Sequence, residues 1–188
     1  MIKIFVSDKP DCYTPSRFHM YSSSFDLHGV GSSCSSSSGI ISLHLAYDED
    51  SKDLRGVKYK CCYVPHYEES LLESTPVSYY DKEDYEAINL KRYNLDCKQG
   101  MLGKVTGFNS RQGRGFNYEC KTSRKPTTCA RPRKADFQVG YEDEHLKWPN
   151  KASITCDKNY FISQLKLVDA PGAQGKYIFE YTCCKVHQ

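Results

Sequence analysis

Cys34-Ser35-Ser36-Ser37-Ser38-Gly39-Ile40-Ile41-Ser42-Leu43-His44-Leu45-Ala46-Tyr47, followed by Val57-Lys58-Tyr59-Lys60-Cys61-Cys62, carries the pattern that decides the fold. Ile41, Leu43, Leu45 and Tyr47 alternate with Ser42, His44 and Ala46, the period-two mark of a half-buried strand. After a polar turn over Asp48 to Asp53, Val57, Tyr59, Cys61 and Tyr63 alternate with Lys58 and Lys60. The stretch returns near the other end of the chain at a constant offset of 122 (156 − 34), without a gap. Cys34 falls on Cys156, Ile40 on Ile162, Leu43 on Leu165, Leu45 on Leu167, Tyr59 on Tyr181 and Cys61-Cys62 on Cys183-Cys184. A shorter copy runs from Cys97 to Cys120, with Leu102, Val105 and Tyr118 in the equivalent places.

Each copy therefore reads as two antiparallel strands joined by a turn, stapled across its outer ends. The middle turn is expected over Asn109 to Gly115, with Phe116, Tyr118 and Cys120 on the return strand. The last is expected over Asp169 to Gly175, with Tyr177, Phe179, Tyr181 and Cys183 following. The spacing predicts the bridges Cys34–Cys61, Cys97–Cys120 and Cys156–Cys183, each contributing roughly 3 kcal/mol by loop entropy. Cys12 precedes the first copy much as Cys129 precedes the last, so Cys12–Cys62 and Cys129–Cys184 are expected for the remainder.

Further strands are expected ahead of the hairpins, at Arg17 to Leu27, Tyr85 to Leu90 and Phe137 to Tyr141. The expected fold class is all-β, three pseudo-symmetric antiparallel repeats of β-prism type in one domain over 1–188. The repeats span about 12–64, 85–122 and 129–186. Segment 65–84 is a polar, acidic connector, and short helical pieces are expected near Glu68 to Glu73 and Lys82 to Asn89. The Ser35 to Ser38 run reads as a turn segment.

Composition narrows the setting. Apolar residues make up 39%, and 15 Tyr and 8 Phe supply rings suited to pleated surfaces. No apolar run approaches the ~20 residues of a membrane-spanning helix. Met1-Ile2-Lys3-Ile4-Phe5 lacks the long apolar stretch of a signal peptide. Removal of a leader and excision from a longer chain both remain open. Zinc is the rival use of ten cysteines, but adjacent pairs suit its knuckle spacing badly, so disulfides and a secreted or cell-surface setting are expected. No Asn-x-Ser/Thr sequon is present.

The repeated core resembles that of the dermatopontin family, tyrosine-rich matrix proteins whose repeats end in an aromatic-x-aromatic-x-Cys strand. Tyr85-Glu86-Ala87-Ile88-Asn89-Leu90 through Cys97 is similar to that family's lead-in, while its Asp-Arg-x-Trp signature is replaced at Leu54-Arg55-Gly56-Val57, Gly113-Arg114-Gly115-Phe116 and Tyr177-Ile178-Phe179. Asp53 to Cys61 equally resembles the hairpin of the vitelline membrane outer layer protein, a threefold β-prism. The cysteine-rich C-terminal β-module of perforin-like (membrane-attack) proteins is a third likeness. These resemblances imply a binding module rather than a catalyst.

The residues point the same way. His19, His28, His44, His66, His145 and His187 form no metal-ligand spacing, and no nucleophile elbow or phosphate loop occurs. No enzyme activity, metal or cofactor is expected. From Lys104 to Lys134 there are nine basic residues against Glu119 alone, a balance of +8 in a chain of +3. Arg111, Arg114, Lys121, Arg124, Lys125, Arg131, Arg133 and Lys134 are the expected polyanion contacts, for a sulfated or acidic glycan, a matrix component or an anionic membrane surface. A merely solvated loop is the bland alternative, and physiological nucleic acid is not expected. Leu146 and Trp148, beside Pro149, are the expected membrane or glycan contact, although Trp148 equally suits a core position closing the third sheet. Two functions follow: glycan or matrix binding, or membrane binding as the C-terminal domain of a pore-forming protein.

Overall fold

A computed structural model of the protein describes residues 12–15, 31–47, 54–74, 94–110, 113–142, 145–147, 153–172 and 174–187. These residues are all-β and form no helix. Numbered along the chain, the strands are β1 (Cys12–Tyr13), β2 (Gly31–Ser33), β3 (Ser38–Tyr47), β4 (Leu54–Tyr63), β5 (Tyr67–Ser74), β6 (Leu95–Asp96) and β7 (Met101–Ser110). They continue as β8 (Gly113–Ser123), β9 (Thr127–Cys129), β10 (Arg133–Glu142), β11 (His145–Lys147), β12 (Ser153–Thr155), β13 (Phe161–Asp169) and β14 (Lys176–Val186).

Three antiparallel sheets each centre on one hairpin: β1-β4-β3-β12, β2-β7-β8-β5, and β11-β10-β14-β13-β6 with β9 also on β14. The short strand before each hairpin does not join its own sheet. β2 pairs with β7 of the second hairpin, β6 with β13 of the third, and β12 with β3 of the first. Each hairpin thus lends a strand to the next, and the last lends back to the first.

One irregularity recurs where these loans are made. The ladders shift register between Ile40 and Ser42, between Leu102 and Lys104, and between Ile162 and Gln164. Each shift leaves one extra residue, a bulge that turns its carbonyl out of the hairpin's own ladder. Those carbonyls, on Gly103, Ser163 and Ile41, accept the backbone N–H of Cys34, Cys97 and Cys156 at 2.8, 3.0 and 2.9 Å.

All ten cysteines are bridged, in the five pairs expected from their spacing. Two kinds occur. Cys34–Cys61, Cys97–Cys120 and Cys156–Cys183 staple hairpin ends, with Cα separations of 5.4–5.8 Å. Cys12–Cys62 and Cys129–Cys184 join residues directly opposite on paired strands, at 3.9–4.0 Å. Five structural disulfides suit an oxidising environment.

The first strands of the hairpins, β3, β7 and β13, contact one another. Ile40, Leu102 and Ile162, one from each, are wholly buried. One residue earlier, Gly39, Met101 and Phe161 converge with Val64, and a Cβ on Gly39 would lie 2.9 Å from Phe161 Cδ1 and 3.3 Å from both Met101 and Val64. Two large side chains fill this point because the third strand contributes none.

Three expectations need correction or limit. Glu68 to Glu73 is strand, not helix: Ser70 to Ser74 pair with Lys121 to Asn117, since the open edge of β8 has backbone groups that need partners. The middle turn is shorter than seven residues, because the ladder continues to Ser110↔Gly113 and takes Asn109, Ser110 and Gly113 to Gly115 into the paired strands. Phe137 to Tyr141 falls within β10, whereas Arg17 to Leu27, Asp48 to Asp53 and Lys82 to Leu90 lie outside the described residues.

Gly39→Val should lower stability by roughly 1–3 kcal/mol through overpacking. Urea unfolding checks this, and an unchanged midpoint would contradict the packing described.

Candidate polyanion-binding surface

Residues 124–134 carry five cations and no acid. The segment leaves β8 with the Arg124 N–H donating to the His66 carbonyl at 2.9 Å. It then runs as β9 along the end of β14, pairing Thr128 with Lys185 and Cys129 with Cys184. The Cys129–Cys184 bridge and the hydrogen bond from His187 N–H to the Pro126 carbonyl, at 3.0 Å, hold it there. Arg124, Lys125 and Arg131 are exposed on this clamped strip.

Two exposed lysines distant in sequence join it. Lys185 stands opposite Thr128, and the Lys98 carbonyl accepts from Ser163 Oγ at 3.0 Å and lies 3.9 Å from Cys129 Sγ. Neither belongs to the basic block read from the sequence. The Cys129–Cys184 pairing is the signal that places Lys185, the residue after Cys184, beside the strip.

The other expected contacts fare differently. Arg133 pairs with Asp157 at 2.5 Å; this hydrogen bond and charge raise the guanidinium above its ordinary value and lower the carboxyl below its own. Tyr13 serves the corresponding turn of the first unit, its hydroxyl accepting the Ser35 N–H at 2.6 Å. Lys134 is exposed opposite Glu180, which Lys166 already holds at 2.6 Å. Arg111 and Trp148 lie outside the described residues; Arg114 and Leu146 are placed in β8 and β11, by backbone alone. His44 is exposed on β3, as its alternation suggests.

Lys121 is a correction: it is 1% exposed and is no surface cation. It occupies the place that Cys62 and Cys184 hold in the other hairpins. Its ladder partner, Ser70, occupies the place of Cys12 and Cys129. Where those copies have a disulfide, this one has Lys121 Nζ donating to Ser70 Oγ at 2.9 Å and to Glu119 Oε1 at 2.7 Å. The ammonium also faces the Tyr67 ring at 6.0 Å. The long aliphatic stem fits because the bulge residue is Gly103, where a Cβ would meet Lys121 Cε at 2.3 Å. Ile41 and Ser163 stand at that place beside the smaller cysteines. Burial pushes the Glu119 carboxyl up, but bonds from Lys121 and Ser70 and the charges of Lys121 and Lys104 outweigh it and hold the group below its ordinary value.

Among the described residues, no cluster of three or more His, Cys, Asp or Glu could hold a metal ion. No family model, curated protein or solved structure matches the chain.

Two outcomes follow from the Lys121 clasp. Glu119 has a depressed folded pKa, so its contribution is present above its ordinary value of 4.5 and is lost as pH falls through the lower folded value. Glu119→Gln should therefore flatten the acid limb of a stability-versus-pH curve below about pH 4.5; an identical slope would contradict the pairing. Second, Gly103→Ser alone should destabilise the protein. Combined with Ser70→Cys and Lys121→Cys it should form a sixth bridge, so that thiol titration of the denatured triple variant finds no free cysteine.

Proposed function

We propose that this chain is a secreted or cell-surface, non-catalytic binding module, built as a pseudo-threefold β-prism of three repeats. On this reading it belongs beside the dermatopontin-like and vitelline membrane outer layer proteins. Its ligand is an acidic glycan or matrix polyanion. The observation that carries the reading is the strip at 124–134, with Arg124, Lys125 and Arg131 exposed, no acid in the segment and a disulfide fixing its backbone. A rigid row of cations meets a polyanion with little ordering cost, and the attraction is screened by salt.

Three lines of support come from the fold. The cyclic strand loans among three hairpins suit a prism. Five disulfides suit the extracellular space. Burial of Lys121 and pairing of Arg133 confine the free charge to fewer residues than the sequence offers.

Heparin chromatography tests the proposal. The Arg124→Ser, Lys125→Ser, Arg131→Ser variant should melt like the parent yet elute at clearly lower salt, whereas Lys134→Ser should shift elution less. Equal elution of the triple variant and the parent would refute it. Anionic liposome flotation that survives the triple substitution but is lost in Trp148→Ala would instead assign the module to a membrane surface.

A further inference from the structure

The five bridges fall into two classes by accessibility. In the three hairpin staples every cysteine is buried, none more than 8% exposed. In Cys12–Cys62 and Cys129–Cys184 one half is exposed on a short strand, Cys12 on β1 and Cys129 on β9. Their partners, Cys62 and Cys184, lie in the interior. Thiol–disulfide exchange needs a thiolate to reach one sulfur of the bond, so access helps decide which bridge reacts. The staples present no exposed cysteine to it.

Charge adds to access at Cys129. Lys98, whose carbonyl lies 3.9 Å from Cys129 Sγ, Arg131 two positions on and Lys185 beside Cys184 are all exposed. No acid occurs from 124 to 134. Positive charge draws an anionic thiolate and favours the thiolate form of the sulfur released. The strand that this bridge secures is slight. β9 is three residues long and, among the described residues, pairs on one side only, with β14. Beyond that ladder it is held by Ala130 N–H to the Cys183 carbonyl at 2.9 Å, His187 N–H to the Pro126 carbonyl at 3.0 Å and Thr127 Oγ1 to the Gln99 carbonyl at 2.7 Å. Short edge elements with few buried contacts are the ones that open locally.

We infer that Cys129–Cys184 is a thiol–disulfide exchange site whose reductant is a dithiol, and that its opening frees β9 from β14. One thiolate of the dithiol attacks Cys129 Sγ, forming a mixed disulfide and expelling Cys184 as a thiolate. The second thiolate of the dithiol then attacks its own partner's sulfur in the mixed disulfide, and Cys129 leaves. The dithiol ends as a disulfide, two electrons pass to the protein, and the two thiol protons end on Cys129 and Cys184. Cys12–Cys62 reacts by the same route but secures β1 rather than β9. The buried staples and the Lys121 clasp keep the hairpins closed. Release of β9 disperses the row of Arg124, Lys125 and Arg131, so polyanion binding falls with it. That consequence, unlike the exchange itself, rests on the function proposed above.

Limiting dithiothreitol applied to the native protein, with alkylation and peptide mapping at intervals, tests the site. Cys129 and Cys184 should be labelled at least about tenfold faster than the staple cysteines. In the protein so reduced, hydrogen exchange at the Ala130 and His187 amides should quicken at least about tenfold. The amides of Cys34, Cys97 and Cys156, bonded to the bulge carbonyls, should keep their protection. Equal labelling of the staples, or labelling of Cys129 and Cys184 only as the whole chain unfolds, would overturn the inference. So would unchanged exchange at Ala130 and His187 once the bridge is open. Where heparin retains the oxidised protein, the reduced form should elute at lower salt. Bridge opening and β9 release in a protein that heparin does not retain would leave the exchange site standing and refute only the polyanion reading.

Discussion

Cys34, Cys97 and Cys156 each belong to two hairpins at once. The sulfur is bonded to the return strand of the cysteine's own hairpin. The backbone N–H is bonded to a bulge carbonyl on the neighbouring one. Neither link closes the assembly alone: a disulfide fixes a hairpin's end, and a single hydrogen bond adds only about 1 kcal/mol. Together they lock the end of each lent strand against the neighbour that receives it. The buried row of Ile40, Leu102 and Ile162 follows from that placement, because each directly precedes a bulge.

The middle hairpin obeys the same rule with different chemistry at its outer edge. Cys62 and Cys184 end in covalent bridges, while Lys121 ends in a buried ion pair with Glu119 and a hydrogen bond to Ser70. A buried pair is costly to desolvate and is kept only with good geometry and further hydrogen bonds. Here those are supplied by a strand, β5, whose sequence reads as a connector. At this outer edge two sheets are thus held by a bridge that a reductant would cleave, and the third by an ion pair that it would leave intact.

The hairpins and the cysteine partners were legible because period-two alternation and gapless repetition are local signals; the bulges that shift the register of each hairpin were not. The lent strands were not. β2, β6 and β12 are two or three residues long, too short for periodicity, and their partners lie in another repeat. Charge misled at Lys121 for a related reason: the repeat alignment sets it against Cys62 and Cys184, both buried in the structure, while composition counts it as a surface cation. The paired changes at Gly103 and Lys121 carried the answer, since a glycine makes room for a long chain only where that chain is buried.

The loan from the third hairpin back to the first has a consequence for synthesis. Ser153 pairs with His44, 109 positions earlier (153 − 44). A chain emerging from the ribosome therefore holds its first sheet incomplete on one edge until the last repeat has been made. Contacts of such long sequence separation slow folding, and waiting edges invite association with other chains. No repeat can be trimmed away as a self-sufficient unit, because each leaves a neighbour with an unfilled place.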